Sequence, residues 1–286
     1  MISTKVRKAA FAGSWYPAGA SECEREIEGF LAEGKSMTLP DRNLVGGIVP
    51  HAGWYFSGSI ACNIIHSLKG EKTPDVLVVF GMHLHPDSPC YMMAEGAWET
   101  PFGEIVVEEA LAAELAKNFS FTLETADRFT QDNTIELQLP FIKYFFKDAK
   151  IVAMGVPPRN SSLEIGRSVA EITKQLGLQV KVIGSTDLTH YGYNYGFTTR
   201  GTGKQALDWV RNDNDRRVID AMLALDPENV IAEARAHQNA CCAGAAATAL
   251  ETARHLGAQS ADKIAYATSY DKSPGDSFVG YVGIVF

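Results

Sequence analysis

The sequence lacks long apolar runs, a secretory signal and basic clusters. No stretch of the 286 residues approaches the roughly 18 consecutive apolar residues of a membrane span. The positively charged start of the chain is not followed by the apolar segment of a signal peptide. Lys and Arg number 26 against 34 Asp and Glu, and no Lys/Arg-rich run is present. These absences predict a cytoplasmic protein with no membrane and no nucleic-acid partner.

Cysteine is scarce, and several common catalytic motifs are absent. The five cysteines are an odd number in a chain without a secretory signal, which indicates free thiols in a reducing compartment. They are Cys23, Cys62, Cys90, Cys241 and Cys242. No phosphate-binding glycine loop, dinucleotide fingerprint or nucleophile elbow is found in the sequence. Function therefore has to be sought in other polar residues.

Apolar runs that suit buried strands alternate with segments of helical periodicity. The predicted strands are 44–49, 76–80, 151–156, 180–183, 263–268 and 278–286. The predicted helices are 22–33, 57–67, 108–117, 135–146, 163–176, 204–225 and 243–256. This alternation predicts an α/β fold with a mostly parallel sheet and helices on both faces. No linker or repeat divides the chain, so we expect one domain.

Histidines follow the first two predicted strands directly. His51 comes at the end of the first strand, and His83 and His85 follow the second. If the chain stays extended, the alternate spacing of His83 and His85 turns only one of them toward a shared site. Ligands of parallel sheets gather at the carboxyl ends of the strands. These histidines are therefore candidate ligands, although each could instead be a structural or solvated loop residue.

Two further features lie at a strand end and at a helix start. Asp187 stands three residues before His190, a spacing at which the carboxylate could orient the imidazole or only cap a turn. Cys241 and Cys242 precede a small-residue helix, whose N-terminus stabilises a thiolate. Because neighbouring side chains diverge, we expect one cysteine of the pair to be structural. Together, the nitrogen, carboxylate and thiolate donors favour a transition metal over calcium or magnesium.

Motifs spread along the whole chain resemble one known family. They are AGSWYP at 12–17, GIVPHAG at 47–53, ETPFG at 99–103, NTIELQLPF at 133–141, STDLTH at 185–190, YATS at 266–269 and VGY at 279–281. In this order they are similar to the MEMO family, also called AmmeMemoRadiSam system protein B. The resemblance implies a single MEMO-like domain over residues 1–286. It also implies a three-layer αβα sandwich with a mostly parallel central sheet, similar to the class III extradiol (LigB-like) dioxygenases.

The resemblance further implies a metal site and assigns residues to it. The family's ligands are two histidines and a cysteine, which fall on His51, His83 and Cys241 in this sequence. Asp187 and His190 match the family's pocket residues and are the expected catalytic pair, with Asp187 orienting His190 as an acid–base group. The implied cofactor is non-haem iron, Fe(II), with copper or zinc as alternatives.

Two of these assignments depend on alignment with the family pattern. Counting back from Thr100-Pro101 selects His83 over His85, and the family's Cys-Gly-x-x-Pro pattern selects Cys241 over Cys242. The sequence also departs from that pattern at three places. Met82 and Leu84 flank His83, Cys242 replaces a glycine, and Asn133 stands where the family usually has a histidine.

The expected function is a metal-dependent redox or oxygenase-like role on an unknown substrate. Its ligand would be a small molecule or a peptide bound in the metal pocket. One alternative is a non-catalytic metal- or peptide-binding adaptor. Another, suggested by the family name, is an accessory component that acts with a radical SAM enzyme and an AMMECR1-type protein.

Overall fold

The computed structural model describes residues 5–70 and 72–286, which form twelve strands and ten α-helices. The strands are β1 (Val6–Arg7), β2 (Gly46–Val49), β3 (Val76–Gly81), β4 (Cys90–Met93), β5 (Ala97–Thr100), β6 (Gly103–Val106), β7 (Phe121–Glu124), β8 (Lys150–Gly155), β9 (Val180–Ser185), β10 (His190–Tyr191), β11 (Asp262–Thr268) and β12 (Phe278–Val285). The helices are α1 (Ala20–Glu33), α2 (Ser59–Ser67), α3 (Glu109–Asn118), α4 (Asn133–Glu136), α5 (Leu139–Phe145), α6 (Asn160–Leu176), α7 (Gly203–Trp209), α8 (Asp215–Leu223), α9 (Pro227–His237) and α10 (Ala243–His255).

A nine-stranded sheet forms the centre of the fold. Its strand order is β10-β12-β2-β9-β3-β8-β4-β7, and β11 pairs with the other edge of β12. The four central strands β2, β9, β3 and β8 run parallel, whereas β12 and β4 lie antiparallel to their central neighbours. Every residue of β3 is buried, as the continuous apolar run predicted. The carboxyl ends of β2, β9 and β3 therefore meet at one edge.

Helices cover both faces of this sheet. A Cβ atom at Gly47 would lie 2.7 Å from the Ile64 side chain, so glycine lets α2 approach one face closely. A Cβ atom at Gly184 would lie 2.8 Å from the Cβ of Ala249, so the glycine of β9 lets α10 approach the sheet closely. Helices α1 and α6 pack against α2 and α10 respectively. The predicted α/β class, an αβα sandwich with a mostly parallel central sheet, is confirmed.

The longest helix, α6, is amphipathic, whereas the first eleven residues of α10 are all buried. Helix α6 has 17 residues and buries an apolar stripe that includes Leu163, Val169 and Ile172. Among the described residues, no helix combines the length and the apolar character that a bilayer crossing would need.

Several elements differ from the sequence prediction. The helix predicted over 135–146 is broken into α4 and α5, because Pro140 lacks the N–H that a continuous helix needs and instead occupies the first turn of α5. The helix predicted over 204–225 contains a π-helical turn at Val210–Asn214. Strands β1, β5 and β6 form a separate sheet of three short strands, and the residues of β6 are mostly exposed. Elements this short and polar carry little hydrophobic periodicity.

Candidate metal centre

Four side chains with metal-binding atoms meet at the carboxyl edge of the central sheet. His51 follows β2, His83 follows β3, and Cys241 and Cys242 directly precede α10. One ligand atom from each of the four lies within 4.8 Å of the others. We call these four residues the donor cluster. Such a cluster of histidine and cysteine residues could hold a metal ion. Which of its members bind stays a prediction.

The His51 ring is oriented by a chain of two hydrogen bonds. Its Nδ1 lies 3.0 Å from Ser185 Oγ, and that hydroxyl donates its hydrogen to the Thr134 carbonyl at 2.7 Å. Since a serine hydroxyl has only one hydrogen, Ser185 must accept from His51 Nδ1–H. The remaining nitrogen, Nε2, then faces Cys241 Sγ at 3.3 Å. His51 therefore presents Nε2 to the cluster.

His83 is oriented by a carboxylate that sequence reasoning did not select. Its Nδ1 lies 3.2 Å from Asp132 Oδ2, so the Nε2 atom of this ring also points away from the residue that orients it. Asp132 is held in turn because it caps α4 and accepts from the Thr134 backbone N–H at 2.9 Å. Desolvation lowers the pKa of His83, but hydrogen bonds to Asp132 and Cys241 outweigh it and raise the pKa to about 10. The signal in the sequence was Asp132 at a helix N-cap position.

The surroundings of Cys241 favour its thiolate form. The Asp187 backbone N–H donates to Cys241 Sγ at 3.3 Å, and His51 Nε2 lies equally close. Burial on its own raises the pKa of Cys241, but a hydrogen bond with Cys242 and the neighbouring His51 hold it well below its ordinary value. The pKa of Cys241 is therefore lowered while the pKa values of His51 and His83 are raised, as expected where a thiol and two imidazoles share protons. A metal would replace those protons.

Cys242 also reaches the donor cluster, although neighbouring cysteines were expected to diverge. Its sulfur lies 3.8 Å from that of Cys241. The two side chains converge because the backbone bends at Cys242, with φ −125° and ψ 51°, where α10 begins. Burial is the main cause that raises the pKa of Cys242, and the hydrogen bond with Cys241 raises it further. The pKa values of the two thiols therefore shift in opposite directions, downward at Cys241 and upward at Cys242.

Asp187 does not orient His190, contrary to the sequence prediction. Its Oδ1 accepts from the His51 backbone N–H at 2.8 Å, and its Oδ2 lies 3.9 Å from His51 Nε2. The Nδ1 of His190 lies 3.2 Å from the Leu188 carbonyl, and no hydrogen bond in the described part of the chain joins it to Asp187. The reason is that the Asp187 carboxylate turns toward β2. Asp187 therefore positions the His51 segment.

A cavity of about 580 Å³ opens above the donor cluster. His51, His83, Asp187 and His190 line it, and so does Asn133. Asn133 Nδ2 donates to the His51 carbonyl at 2.9 Å, so this residue holds the backbone of the first histidine. His85 lies outside the cluster, because its exposed side chain contacts Asp87 at 3.4 Å. The structure therefore brings together all the site residues selected from the sequence.

Comparisons with known proteins agree with this architecture. A family model described as Memo-like protein matches residues 7–285. The chain belongs to the Memo-like family. It is 32% identical over 292 residues to the MEMO1 family protein PAE0818 of Pyrobaculum aerophilum, covering 99% of each chain. It is 33% identical over 291 residues to the MEMO1 family protein TK1477 of Thermococcus kodakarensis, covering 98% of this chain and 99% of that one.

The chain is also similar in fold to solved structures of low sequence identity. The uncharacterized protein JW3007 of Escherichia coli K12 matches with a TM-score of 0.52 at 11% sequence identity. The match covers 85% of this chain and 99% of the other. At this identity the similarity concerns the fold alone.

Three of the residues that depart from the expected MEMO-family pattern have visible structural roles. Met82 adopts a left-handed conformation, with φ 72°, and its backbone N–H donates to Thr134 Oγ1 at 2.7 Å. This turn brings the chain out of β3 and delivers His83 to the cluster. Asn133 binds the His51 backbone, and Cys242 adds a second sulfur.

Asp132→Asn is expected to lower the affinity for a divalent metal by about 10–100-fold, because His83 loses the carboxylate that orients its ring. Competition titration of the purified protein with a chromogenic chelator measures this affinity. Asp87→Asn is the matched control, since Asp87 is exposed and pairs with the exposed ring of His85 outside the donor cluster. Equal affinities for the two variants would contradict the orienting role of Asp132.

Proposed function

We propose that this Memo-like protein is a metalloprotein with a redox or oxygenase-like role, in which His51, His83 and Cys241 hold a non-haem metal. The observation that carries the proposal is that the donor cluster lies directly beneath a cavity. We propose Fe(II) as the metal, with copper or zinc as alternatives. The substrate class is a small molecule or peptide that enters this cavity. We further propose that residues 1–286 act as one domain in the cytoplasm.

The chemistry of the donors fits a transition metal. Hydrogen bonds to Ser185 and Asp132 occupy Nδ1 of His51 and His83, so both rings have Nε2 free for a metal. The Cys241 side chain readily provides a thiolate, a soft ligand that calcium and magnesium do not favour. Bound iron or copper would supply Lewis-acid and one-electron redox chemistry, whereas zinc would supply Lewis-acid chemistry alone. Three protein ligands would leave positions for a substrate.

The cavity wall supplies the groups that would act on a bound ligand. The Leu188 carbonyl can only accept a hydrogen bond, so the neighbouring Nδ1 of a neutral His190 carries its proton. This leaves Nε2 of His190 as a base that can take a proton from an O–H or N–H of the ligand. Asp187 lines the cavity and holds the His51 backbone by accepting its N–H. His190 is therefore the proposed acid–base residue and Asp187 the proposed positioning residue.

A second candidate function is binding without catalysis. Three aromatic side chains at the cavity are unusually exposed: Trp15 at 41%, Tyr55 at 65% and Tyr195 at 46%. Large exposed apolar groups around a pocket are typical of a binding surface. This rim supports the adaptor alternative, in which the cavity holds a peptide. Action alongside a radical SAM enzyme and an AMMECR1-type protein stays a prediction based on the family name.

The deciding experiment is metal analysis of the protein purified without oxygen, followed by reconstitution with Fe(II) and measurement of O₂ consumption. We expect about one metal per chain, and O₂ uptake when a reducing substrate is added. Catechols and other phenols are the first substrates to test. Stoichiometric metal without O₂ uptake favours the adaptor. Absence of stoichiometric iron, copper and zinc contradicts the metal-site proposal.

A further inference from the structure

We propose that Cys242 is a fourth protein ligand, so that two imidazole nitrogens and two sulfurs hold the metal. This inference rests on the proposed metal site and changes its composition. The resemblance to the MEMO family implies three ligands and a glycine at the position of Cys242. The second sulfur is therefore a property of this sequence.

The distances within the donor cluster fit a four-ligand site. With metal–sulfur distances of about 2.3 Å, two sulfurs of a tetrahedral site lie about 3.8 Å apart. The sulfurs of Cys241 and Cys242 lie 3.8 Å apart. A nitrogen and a sulfur of such a site lie about 3.6 Å apart, and His51 Nε2 lies 3.3 Å from Cys241 Sγ. All four ligand atoms lie within 4.8 Å of one another, so small shifts would complete the site.

A disulfide between the two cysteines is the competing explanation for their proximity. Consecutive Cα atoms across a trans peptide are about 3.8 Å apart, whereas disulfides prefer about 4.4–6.8 Å. No peptide bond in the described residues is cis, so this spacing applies to Cys241 and Cys242. A bond between them would be strained. Two sulfurs bridged by a metal avoid this strain, because they stay at the separation that the structure already has.

The position of Cys242 leaves the cavity free for a ligand. Cys242 is 3% exposed and does not line the cavity, whereas His51 and His83 do. Ligation by Cys242 would therefore come from the protein interior. Zinc sites can expand from four to five ligands, so a substrate could still approach from the cavity.

A second sulfur shifts the metal preference. Thiolate-rich sites favour Zn²⁺, Cu⁺ and iron in thiolate coordination over metals that prefer oxygen ligands. We expect selectivity for these soft or borderline ions over Mn²⁺ and Mg²⁺. The donor set also lowers the number of open positions compared with a three-ligand site.

Cobalt(II) tests the inference, because its absorption reports both thiolate ligation and geometry. The full-length protein, the Cys242→Ala variant and the Cys241→Ala variant are titrated with Co²⁺ without oxygen. Cys62→Ala is the matched control, since Cys62 is fully buried in α2 and lies outside the donor cluster. Thermal unfolding of each metal-free variant checks that it folds.

We expect Cys242→Ala to lose about half of the thiolate-to-cobalt absorbance, since one of two sulfurs is removed. The affinity should fall by at least about tenfold, since even residues that only support ligands change it by that much. Cys62→Ala should match the unchanged protein. If Cys242→Ala has the cobalt absorbance and affinity of the unchanged protein while Cys241→Ala loses cobalt binding, Cys242 is not a ligand and the proposed function stands. If the unchanged protein binds no metal stoichiometrically, the proposed function fails as well.

Zinc K-edge X-ray absorption of the unchanged protein decides the same point without a variant. Two sulfurs in the zinc coordination shell support the inference, and one sulfur overturns it. This measurement applies even if Cys242→Ala does not fold.

Discussion

Replacing His83 by alanine is expected to remove stoichiometric metal from the protein, whereas replacing His85 is expected to have no effect. The two histidines lie two residues apart, but only His83 belongs to the donor cluster. His85 has a side chain that is 75% exposed and contacts Asp87. Loss of a direct ligand should lower the metal affinity by on the order of 100-fold or more, since loss of a supporting residue alone costs about 10–100-fold.

Metal content of protein purified without oxygen, measured by atomic emission, checks this prediction. Thermal unfolding of each metal-free variant is measured beside it, since replacing His83 also removes the partner of the Asp132 carboxylate, which is 9% exposed. A His83→Ala protein that keeps its metal, or a His85→Ala protein that loses it, would refute the assignment of His83.

The sequence was sufficient to locate this edge of the fold. Buried runs of β-branched residues ended in His51 and His83, and parallel strands bring such ends together. The spacing argument left only one of His83 and His85 facing the site; in the structure His83 belongs to the donor cluster and the exposed His85 does not. Parallel topology fixes where the strand ends lie, whereas His83 reaches the donor cluster through the left-handed turn at Met82 and not by strand alternation.

Other features could not be predicted, because they depend on tertiary contacts. Asp132 meets His83 from a segment 49 residues away, and nothing in local periodicity connects the two. Among the described residues Asp187 makes a hydrogen bond to His51 and none to His190, since the direction of a carboxylate at a strand end depends on the neighbouring strand. The convergence of Cys241 and Cys242 needs the backbone bend at the start of α10.

Glu136 gives a physical reason for two of the motifs. It is 2% exposed and accepts hydrogen bonds from the backbone N–H groups of Ala10 and Phe11, at 2.9 and 2.7 Å, and from the Tyr16 hydroxyl at 3.1 Å. The motif at 133–141 therefore binds the motif at 12–17 and the two residues before it. That segment places Trp15 at the cavity. Residues far from the donor cluster thus shape its entrance.

Arg7 anchors the segment that leads to Asp132. Its guanidinium pairs with Glu124 at 2.7 Å and donates to the Thr130 carbonyl at 3.0 Å. Its two faces are covered by the rings of Trp98 and Phe129, at 3.9 and 4.0 Å from the ring centroids. Both charged side chains are buried, with 3% of Arg7 and 8% of Glu124 exposed. Removal of the cation would leave an uncompensated buried carboxylate.

Arg7→Met is therefore expected to lower the free energy of unfolding by about 3–5 kcal/mol, the usual cost of breaking a buried ion pair. Urea denaturation measures this change. The double variant Arg7→Met/Glu124→Gln should recover part of the loss, because glutamine is neutral and its oxygen can still accept the Thr130 backbone N–H. Recovery in the double variant identifies the buried charge as the cause. A double variant less stable than Arg7→Met would instead indicate that the stability is lost because Arg7 no longer packs against the two rings.

Lys8→Met provides the matched control, since Lys8 pairs with Glu99 at 2.7 Å but is exposed to solvent. We expect no measurable change in stability, because exposed ion pairs contribute little. Arg7→Met should also weaken metal binding, since Thr130 lies two residues before Asp132, which orients His83. Lys8→Met should leave metal binding intact. Arg7→Met with unchanged metal affinity would show that Asp132 keeps its position without the buried pair, so that Arg7 stabilises the fold but not the donor cluster.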